Sequence, residues 1–451
     1  MRTSAHRVTV FALAGLILFG GSPLLAEQPV PEGELTLERA IAIALERNPM
    51  IDLAGAGVDR AEARLAEARG TRLPALSVSE DVTRTTNPVF VFGQLLGQEA
   101  FTVQHFDVNF LNRPDALNNF ATRLSLEQPL WTGGRIAGAI GAAEAGREAA
   151  LAGGRRVRQQ VIHQVVDAYS GAVVAEHFLA VARQALETAR GHVELVADLR
   201  EAGLVVEADL LRARVRESEL REMVIRAEAG RAVARAALAL AMGLPAETSL
   251  TLPSGLGDPP ADDEALADLE REALERRPDL KAITHQLEAA TSMVRAARGG
   301  LWPTIGAGGV WEANAEDAPG TDGTNWTVML TARFRLFDGG RTRARIRQAE
   351  ADVREAGAAL AARRDQVALE IRQAWHALRA ARQRLVAARE AVRMAEESLR
   401  VMEDRYREGL IRLVELQDAE TALTGARTRV VAARRDVLLG RAALDLAVGR
   451  L

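Results

Sequence analysis

An internal duplication is the feature that most constrains the fold of this 451-residue chain. Residues 44–49, Ala-Leu-Glu-Arg-Asn-Pro, recur as Ala-Leu-Glu-Arg-Arg-Pro at 273–278, a shift of 229 positions. Further along, residues 130–135 recur at 336–341 with a shift of 206, and this shift holds without a gap from about residue 120 to residue 244. A sequence that repeats itself at this length predicts two copies of one structural unit.

Each copy predicts a helix, a strand, a loop, a second strand, a very long helix, a tight turn and a returning helix. The first copy has 23 extra residues, the difference between the shifts of 229 and 206, and they lie between Pro74 and Phe120. We therefore expect four segments: a signal peptide at 1–26, a first repeat at 27–245, a linker at 246–270 and a second repeat at 271–451.

The long helix of each copy has a heptad pattern. Apolar residues alternate steps of three and four from Ile371 to Tyr406, and the same seam runs from Val165 to Val196 in the first copy. This pattern predicts left-handed coiled coils. Roughly 66 residues without proline precede the first turn, which gives a helix of ~100 Å. Because no small core can enclose such a helix, we expect it to pack along other helices.

The N-terminus is typical of a secretory signal, with Arg2 and Arg7 before an apolar run from Val8 to Phe19 and a cleavage site after Ala26. An anchor helix is the alternative, but the run is shorter than the ~20 apolar residues that span a membrane. The sequence has no cysteine, which excludes disulfides and a lipid-modified N-terminal cysteine. No later segment has 18 consecutive apolar residues, so we expect no later helix to cross a membrane.

The segment before each Gly-Gly pair alternates apolar and polar residues. In the second copy one face has Trp326, Val328, Leu330, Ala332, Phe334 and Leu336, and the other has Thr327, Met329, Thr331, Arg333 and Arg335. The partner strands begin near Pro74 and Pro303. Strands of ~10 residues with one apolar face suit a barrel with lipid outside and water inside. A half-buried sheet packed on helices is the alternative.

Four strands are too few to close a barrel. An exported chain with no membrane helix and with open sheet edges is best completed by an oligomer that shares one barrel. Three protomers give twelve strands, whereas two give eight and a narrower bore, and the strands alone do not decide between them.

In this duplicated order the chain resembles the TolC-like outer membrane factors over residues 35–451. The resemblance depends on the Leu-Phe-Asp-Gly-Gly-Arg entry at 336–341 and on the Gly-Leu turns. It implies a mainly α fold with β, in which antiparallel coiled coils form an α-barrel tunnel in the periplasm. It further implies a homotrimer that shares a twelve-strand transmembrane β-barrel in outer membrane lipid. The expected function is a passive exit duct, joined to a periplasmic adaptor (membrane fusion) protein and an inner-membrane transporter.

The resemblance also implies sites at the turns between long and returning helices. The turn residues Gly203, Leu204, Gly409 and Leu410 are the candidate adaptor-docking tips. Glycine there also permits the left-handed backbone that ends a helix.

A pore gate is the second implied site, and it comprises Asp209, Tyr406, Arg412, Glu415 and Asp418. Ile411 occupies the place of the family's gating arginine, and Arg412 is its neighbour. A shift of one residue turns a helix face by about 100°. Three copies of Glu415 and Asp418 around an axis would form anionic rings that repel each other and can hold a cation.

The first strand-to-strand loop, residues 87–119, is rich in phenylalanine. We expect it at the cell surface, where it either packs its own apolar residues or folds over the barrel mouth.

No catalytic motif, cofactor fingerprint or metal-ligand spacing is present, so we expect no enzyme, no cofactor and no metal site. His163 and His177 share a helix face but lie ~21 Å apart along it. A net charge of -4 gives no reason to expect nucleic-acid binding. Two alternatives remain open for function: the outer-membrane component of type I protein secretion, and a structural coiled-coil protein of the envelope without a channel.

Overall fold

The structure is a computed structural model that describes residues 33–253, 255–257 and 264–451. The expected signal peptide lies outside the described residues, as does part of the expected linker. The helices that follow from this structure are α1 (Leu37–Arg47), α2 (Pro49–Gly70), α3 (Pro88–Gly97), α4 (Val108–Asn112), α5 (Arg135–Glu201), α6 (Glu207–Ala241), α7 (Leu266–Arg276), α8 (Pro278–Arg298), α9 (Arg341–Arg407) and α10 (Leu413–Val448). The strands are β1 (Ala75–Thr85), β2 (Leu117–Trp131), β3 (Thr304–Ala315) and β4 (Gly323–Arg333).

The four strands form one antiparallel sheet in the order β1-β2-β3-β4. Each repeat contributes one hairpin, and β2 of the first repeat pairs with β3 of the second. The outer edges of β1 and β4 have no partner strand among the described residues. The predicted fold class, mainly helical with four strands per chain, is confirmed.

The register places apolar side chains in rows across one face of this sheet. Leu76 lies opposite Leu126, Leu124 opposite Trp311, and Trp311 opposite Trp326. These side chains are exposed rather than buried, and the same holds for Val78, Val82, Val328 and Leu330. A contiguous apolar face of this size needs another apolar phase or partner to cover it.

The other face of the sheet is polar and held by ion pairs. Arg123 lies between the two hairpins and bridges Asp81 at 2.9 Å and Glu312 at 2.7 Å. Asn119 donates to the side chain of Asn314 at 2.9 Å on the same face. The alternation predicted from the sequence is therefore present, with polar groups satisfied inside one face.

Strand β4 ends earlier than the alternation predicts. The pattern extends to Leu336, but pairing stops where Arg333 meets Thr304. The residue before Thr304 is Pro303, which has no N–H to donate and follows a 3₁₀ turn at Gly299–Leu301. Without a partner strand, residues 334–338 leave the sheet.

Both Gly-Gly pairs lie at the point where the chain passes from the strand segment into a long helix. Gly134 and Gly340 have φ of 90° and 84°, a left-handed conformation that glycine adopts without strain. In the second copy Asp338 accepts hydrogen bonds from the N–H of Gly340 at 3.0 Å and of Thr342 at 2.9 Å, which caps α9.

The long helices form two antiparallel hairpins, α5 with α6 and α9 with α10. Each hairpin has its own apolar core about midway along its long helix, where the short helices pack: α1 on the first and α7 on the second. Helix α10 also packs against α5, so that the two repeats share a seam. The heptad residues Val165, Ile371 and Leu378 are buried in these cores, as the coiled-coil pattern predicts.

Among the described residues, α5 is the one helix long and apolar enough to cross a membrane by length and composition. The sequence led us to expect none. The relevant window is 44% buried within the chain. Its apolar residues are therefore explained in part by packing against α2, α6, α8 and α10.

The loop between β1 and β2 folds into α3, a 3₁₀ turn at Val103–Phe106 and α4. Its aromatic rings pack on each other, with centroids of Phe92 and Phe101 4.8 Å apart and those of Phe101 and Phe106 5.2 Å apart. At its base Gln98 donates to Asn119 at 2.8 Å, on the polar face of the sheet. The loop therefore packs its own apolar residues and also covers the outer end of the polar face.

Candidate gate at the helical hairpin tips

The two hairpin turns have nearly the same backbone. Gly203 and Gly409 have φ of 75° and 73°, and each follows the last turn of a long helix. Leu204 N–H donates to Leu199 O at 2.9 Å, and Leu410 N–H donates to Arg405 O at 2.9 Å. These are the hydrogen bonds of a helix that ends in a left-handed residue.

Both turn leucines point into solvent. The exposed fractions of Leu204 and Leu410 are 71% and 68%. An exposed leucine at the end of a rigid hairpin is suited to contact a partner, because it gains from burial without cost to the fold. The predicted docking role of these tips stays a prediction.

Just above the turns an apolar cluster, here called the tip cluster, joins the two hairpins. Its buried members are Val196, Leu210, Ala213, Tyr406, Leu413 and Leu416. The cluster includes residues of α5, α6, α9 and α10, so it holds the second repeat against the first. Ile411 is partly buried and packs on the same cluster.

One predicted gate residue, Tyr406, lies in this cluster, and a second, Asp209, is close enough for its charge to act on Tyr406. Tyr406 is only 7% exposed, and its hydroxyl has no hydrogen-bond partner among the described residues. Burial, together with the negative charge of Asp209, raises the pKa of Tyr406 above its usual value. Asp209 is half-buried, and its nearest cation is Arg212, at 3.8 Å. The first repeat therefore presents a carboxylate toward the phenol of the second.

The other predicted gate residues lie on the returning helix and do not join this pair. Arg412 is 84% exposed and lies 3.4 Å from Glu415, three residues later on the same helix. Asp418 is exposed. The place of the family's gating arginine is taken by Ile411, which makes an apolar contact instead of an ionic one. Within one protomer the hairpins are thus joined at the tip mainly by burial.

Sequence reasoning missed the leucines of the tip cluster. Leu210 and Leu416 are equivalent at the shift of 206, and each lies one turn into its returning helix. That pairing was available from the duplication, but only the heptads of the long helices were followed. No group of three or more metal-ligating side chains occurs in the part of the chain that the structure describes.

The chain combines a sheet that has one apolar and one polar face with two helical hairpins. The first helix of each hairpin has 67 residues and the second is shorter. This combination defines the barrel-and-tunnel class of envelope proteins. The family model for outer membrane efflux proteins matches residues 40–244 and 269–450. The chain belongs to the outer membrane efflux protein family. Membership places the chain in the outer membrane, with its long helices on the periplasmic side.

Individual relatives agree with this family. The chain is 29% identical over 333 residues to Protein CyaE of Bordetella pertussis, covering 72% of this chain and 65% of that protein. It is 26% identical over 323 residues to outer membrane protein OprJ of Pseudomonas aeruginosa, covering 70% of this chain and 63% of that protein. The matches thus span slightly less than two thirds of these relatives' own lengths.

Solved structures share the fold along most of the chain. A membrane protein from Pseudomonas aeruginosa matches with a TM-score of 0.78 at 24% identity, covering 92% of this chain and 93% of that one. The outer-membrane channel OprN matches with a TM-score of 0.76 at 26% identity, covering 92% and 89%. The CmeC outer membrane channel of Campylobacter jejuni matches with a TM-score of 0.78 at 18% identity, covering 94% and 90%.

Proposed function

We propose that three copies of this chain form an outer membrane channel, the passive exit duct of a tripartite efflux or secretion system. In this arrangement the three sheets close one barrel of twelve strands, and the hairpins form a tunnel through the periplasm. The duct is joined at its tips to a periplasmic adaptor protein and through it to an inner-membrane transporter.

The sheet is the single observation that best supports this function. Its apolar face is exposed on all four strands, while Arg123 and its two carboxylate partners are satisfied on the opposite face. Such a sheet suits lipid on one side and water on the other. Because β1 and β4 run antiparallel and both have a free edge among the described residues, β4 of one copy can pair with β1 of the next.

The helices extend this duct. Each 67-residue helix is ~100 Å long, which exceeds the thickness of a membrane about threefold. Charged residues cover their exposed faces, so the tunnel wall suits water on both sides. In the proposed closed state Tyr406 and Asp209 hold the second hairpin against the first, and the ring of Glu415 and Asp418 narrows the bore.

The proposal is tested on the purified full-length chain in detergent and in planar bilayers. We expect a mass of three chains by light scattering, heat-modifiable migration in electrophoresis, and discrete conductance steps. A monomer without heat-modifiable migration and without conductance would contradict both the barrel and the channel.

The class of cargo is tested separately, because the wall of a passive duct names no cargo. Deleting the gene is expected to lower resistance to small toxic compounds if the duct serves efflux. It is expected to retain a secreted protein inside the cell if the duct serves type I secretion. Either result supports the channel and decides between the two cargo classes.

A further inference from the structure

The seam between α5 and α10 joins the two repeats along their long helices, and the side-chain links across it are unevenly spaced. At the C-terminal end of α10, Gln159 of α5 donates to Gly449 O at 2.9 Å, and Arg156 donates to Leu446 O at 2.8 Å. Slightly further down, Arg435 pairs with Asp167 at 2.6 Å. These links fix the upper part of the seam.

Below Asp167 a groove that is open to solvent lies between α5, α6 and α10. It has a volume of about 880 Å³, with Gly171 and Phe178 of α5, Gly230 of α6 and Gly425 of α10 among its lining residues. A smaller cavity of about 160 Å³ follows beneath it, between α5, α6, α9 and α10. Helices that border such spaces make fewer dispersion contacts, so the seam is less closely packed here than in the apolar cores.

The seam closes again where a histidine of α5 meets a glutamate of α10. Nδ1 of His192 touches Oε1 of Glu420, and the two side chains are 17% and 11% exposed. Neither atom has a hydrogen-bond partner of good geometry among the described residues, so each depends on this close contact. His192 lies 25 residues below Asp167, which is ~38 Å along the helix. The upper links are therefore too distant to hold this level of the seam.

The charged side chains that line the small cavity beside Glu420 are Arg216 of α6, Glu403 of α9 and Arg427 of α10. Arg216 donates to Thr421 at 2.8 Å and bridges Glu219 at 3.2 Å. His192 is the basic side chain in direct contact with the buried carboxyl group of Glu420. Removing one of the two leaves the other buried without its polar partner, which costs more than losing an exposed pair.

We propose that His192 and Glu420 are positioning residues that latch the second hairpin to the first above the tip cluster, so that opening of the duct requires this contact to break. The inference depends on the proposed channel function. This contact is separate from the predicted gate. His192 lies 11 residues above Gly203 on α5, which is ~17 Å along the helix.

The test compares single-channel recordings of the full-length protein with His192→Gln, Glu420→Gln and both together. We expect each single variant to raise the open-to-closed ratio about tenfold, because it takes away one partner of a buried polar contact. The double variant should open less than the product of the two, because it leaves neither partner alone. His192→Arg supplies a nitrogen donor at the same position and should bring the ratio back toward the native value.

Two controls separate the latch from general loosening. Asp167→Asn removes an exposed link higher on the same seam, and Arg183→Gln removes an exposed link between α5 and Glu228 of α6 within one hairpin. Both are expected to leave the ratio unchanged. Trimer mass and melting temperature are measured for every variant, so that a misfolded protein is recognised.

A chemical crosslink gives an independent readout. The chain has no cysteine, so His192→Cys combined with Glu420→Cys supplies the only thiols. A short bismaleimide across this pair should hold the channel closed when the adaptor is added. Adaptor-driven opening that persists in the crosslinked channel would overturn the latch. The latch would also be overturned if the Gln variants kept the native open-to-closed ratio while the double variant Asp209→Ala with Tyr406→Phe opened the channel. Absence of conductance in every protein would instead overturn the proposed function.

Discussion

In both repeats a side chain at the junction between the first two helices donates a hydrogen bond to the returning helix, but the side chain differs between the repeats. Asn48 in the first repeat and Arg277 in the second are equivalent at the shift of 229. Each donates a hydrogen bond of 2.8 Å to a carbonyl near the end of the returning helix, Ala241 O for Asn48 and Ala447 O for Arg277. The duplication has therefore preserved the contact while its donor changed from an amide to a guanidinium.

The change of donor has altered the surroundings. Asn48 is neutral and also caps α2, since its side chain accepts from the N–H of Met50 at 2.9 Å. Arg277 is fully buried, and a buried charge requires counter-charges. Asp279 at 2.7 Å and Glu370 at 2.8 Å supply them. The hydrogen bond to the returning helix therefore needs no counter-charge in the first repeat, whereas in the second it depends on an ionic network.

The hairpin tips also differ between the repeats, but here the charged contact belongs to the first repeat. In the first repeat Arg200 donates to Glu207 at 2.8 Å across the turn, and both side chains are exposed. At the shift of 206 their equivalents are Tyr406 and Leu413, which are buried in the tip cluster. At these two positions the first tip has an ion pair in water, whereas the second has side chains buried in the tip cluster. Movement at the tips therefore costs more on the side of the second repeat.

The largest effect is expected from breaking the junction of the second repeat. Arg277→Met removes the guanidinium from a buried network, and we expect a loss of about 3–5 kcal/mol in unfolding free energy. Asn48→Ala loses one donor and one cap, for which about 1–3 kcal/mol is expected. Denaturant unfolding followed by circular dichroism measures both. Equal losses would mean that the charge of Arg277 adds nothing beyond its hydrogen bond to Ala447.

The tips are expected to differ by a smaller amount. Tyr406→Ala empties a position in the tip cluster and should cost about 3 kcal/mol of local stability. Arg200→Ala breaks an exposed ion pair, for which about 0–1 kcal/mol is expected. Hydrogen exchange of the amides around residues 399–416 and 193–210 measures the two tips separately. Similar loss of protection at both would contradict the difference between an apolar and an ionic tip.

Acid should distinguish the junctions as well. Burial alone would raise the pKa of Asp279, but hydrogen bonds from Arg277 and Arg363 outweigh burial and hold its pKa well below the usual value. A carboxylate with a depressed folded pKa contributes stability above its unfolded pKa of about 3.9, and this contribution is lost as pH falls toward the folded value.

We therefore expect the native protein to lose thermal stability below about pH 4 partly through Asp279. Asp279→Asn should be less stable at neutral pH and should lose less on acidification. Melting temperatures from pH 3 to pH 7 measure this. Asn48→Ala is the matched control, because its junction has no titrating group, and it should keep the pH profile of the native protein.

Much of the fold was predictable because it depends on short sequence patterns and because each pattern occurs in both repeats. The shift of 206 aligns Gly203 with Gly409, and positive φ at both shows why glycine occupies each turn. Alternation predicted the two faces of the sheet in the same way. The end of β4 was not predictable from its own residues, because it depends on where Pro303 stops the neighbouring strand.

The candidate site was predictable only in part, for a physical reason. The resemblance to the family named Asp209 and Tyr406, and their role in a gate stays a prediction; Tyr406 is buried in the tip cluster and Asp209 is half-buried. The contact between His192 and Glu420 joins residues 228 positions apart in sequence, from helices of different repeats. No spacing within one helix predicts such a pair, since it depends on the rotation of α10 against α5.

The smallest effect should be the same in both repeats. Gly203→Ala and Gly409→Ala introduce a Cβ at φ of 75° and 73°, and no atom lies within 4 Å of either added group. The cost is therefore backbone strain alone, about 1 kcal/mol at each turn. The same hydrogen-exchange measurement at each tip should give equal changes. A larger change at Gly409 would mean that the tip cluster requires the left-handed turn for its packing, so that the second tip is stabilised by its backbone as well as by burial.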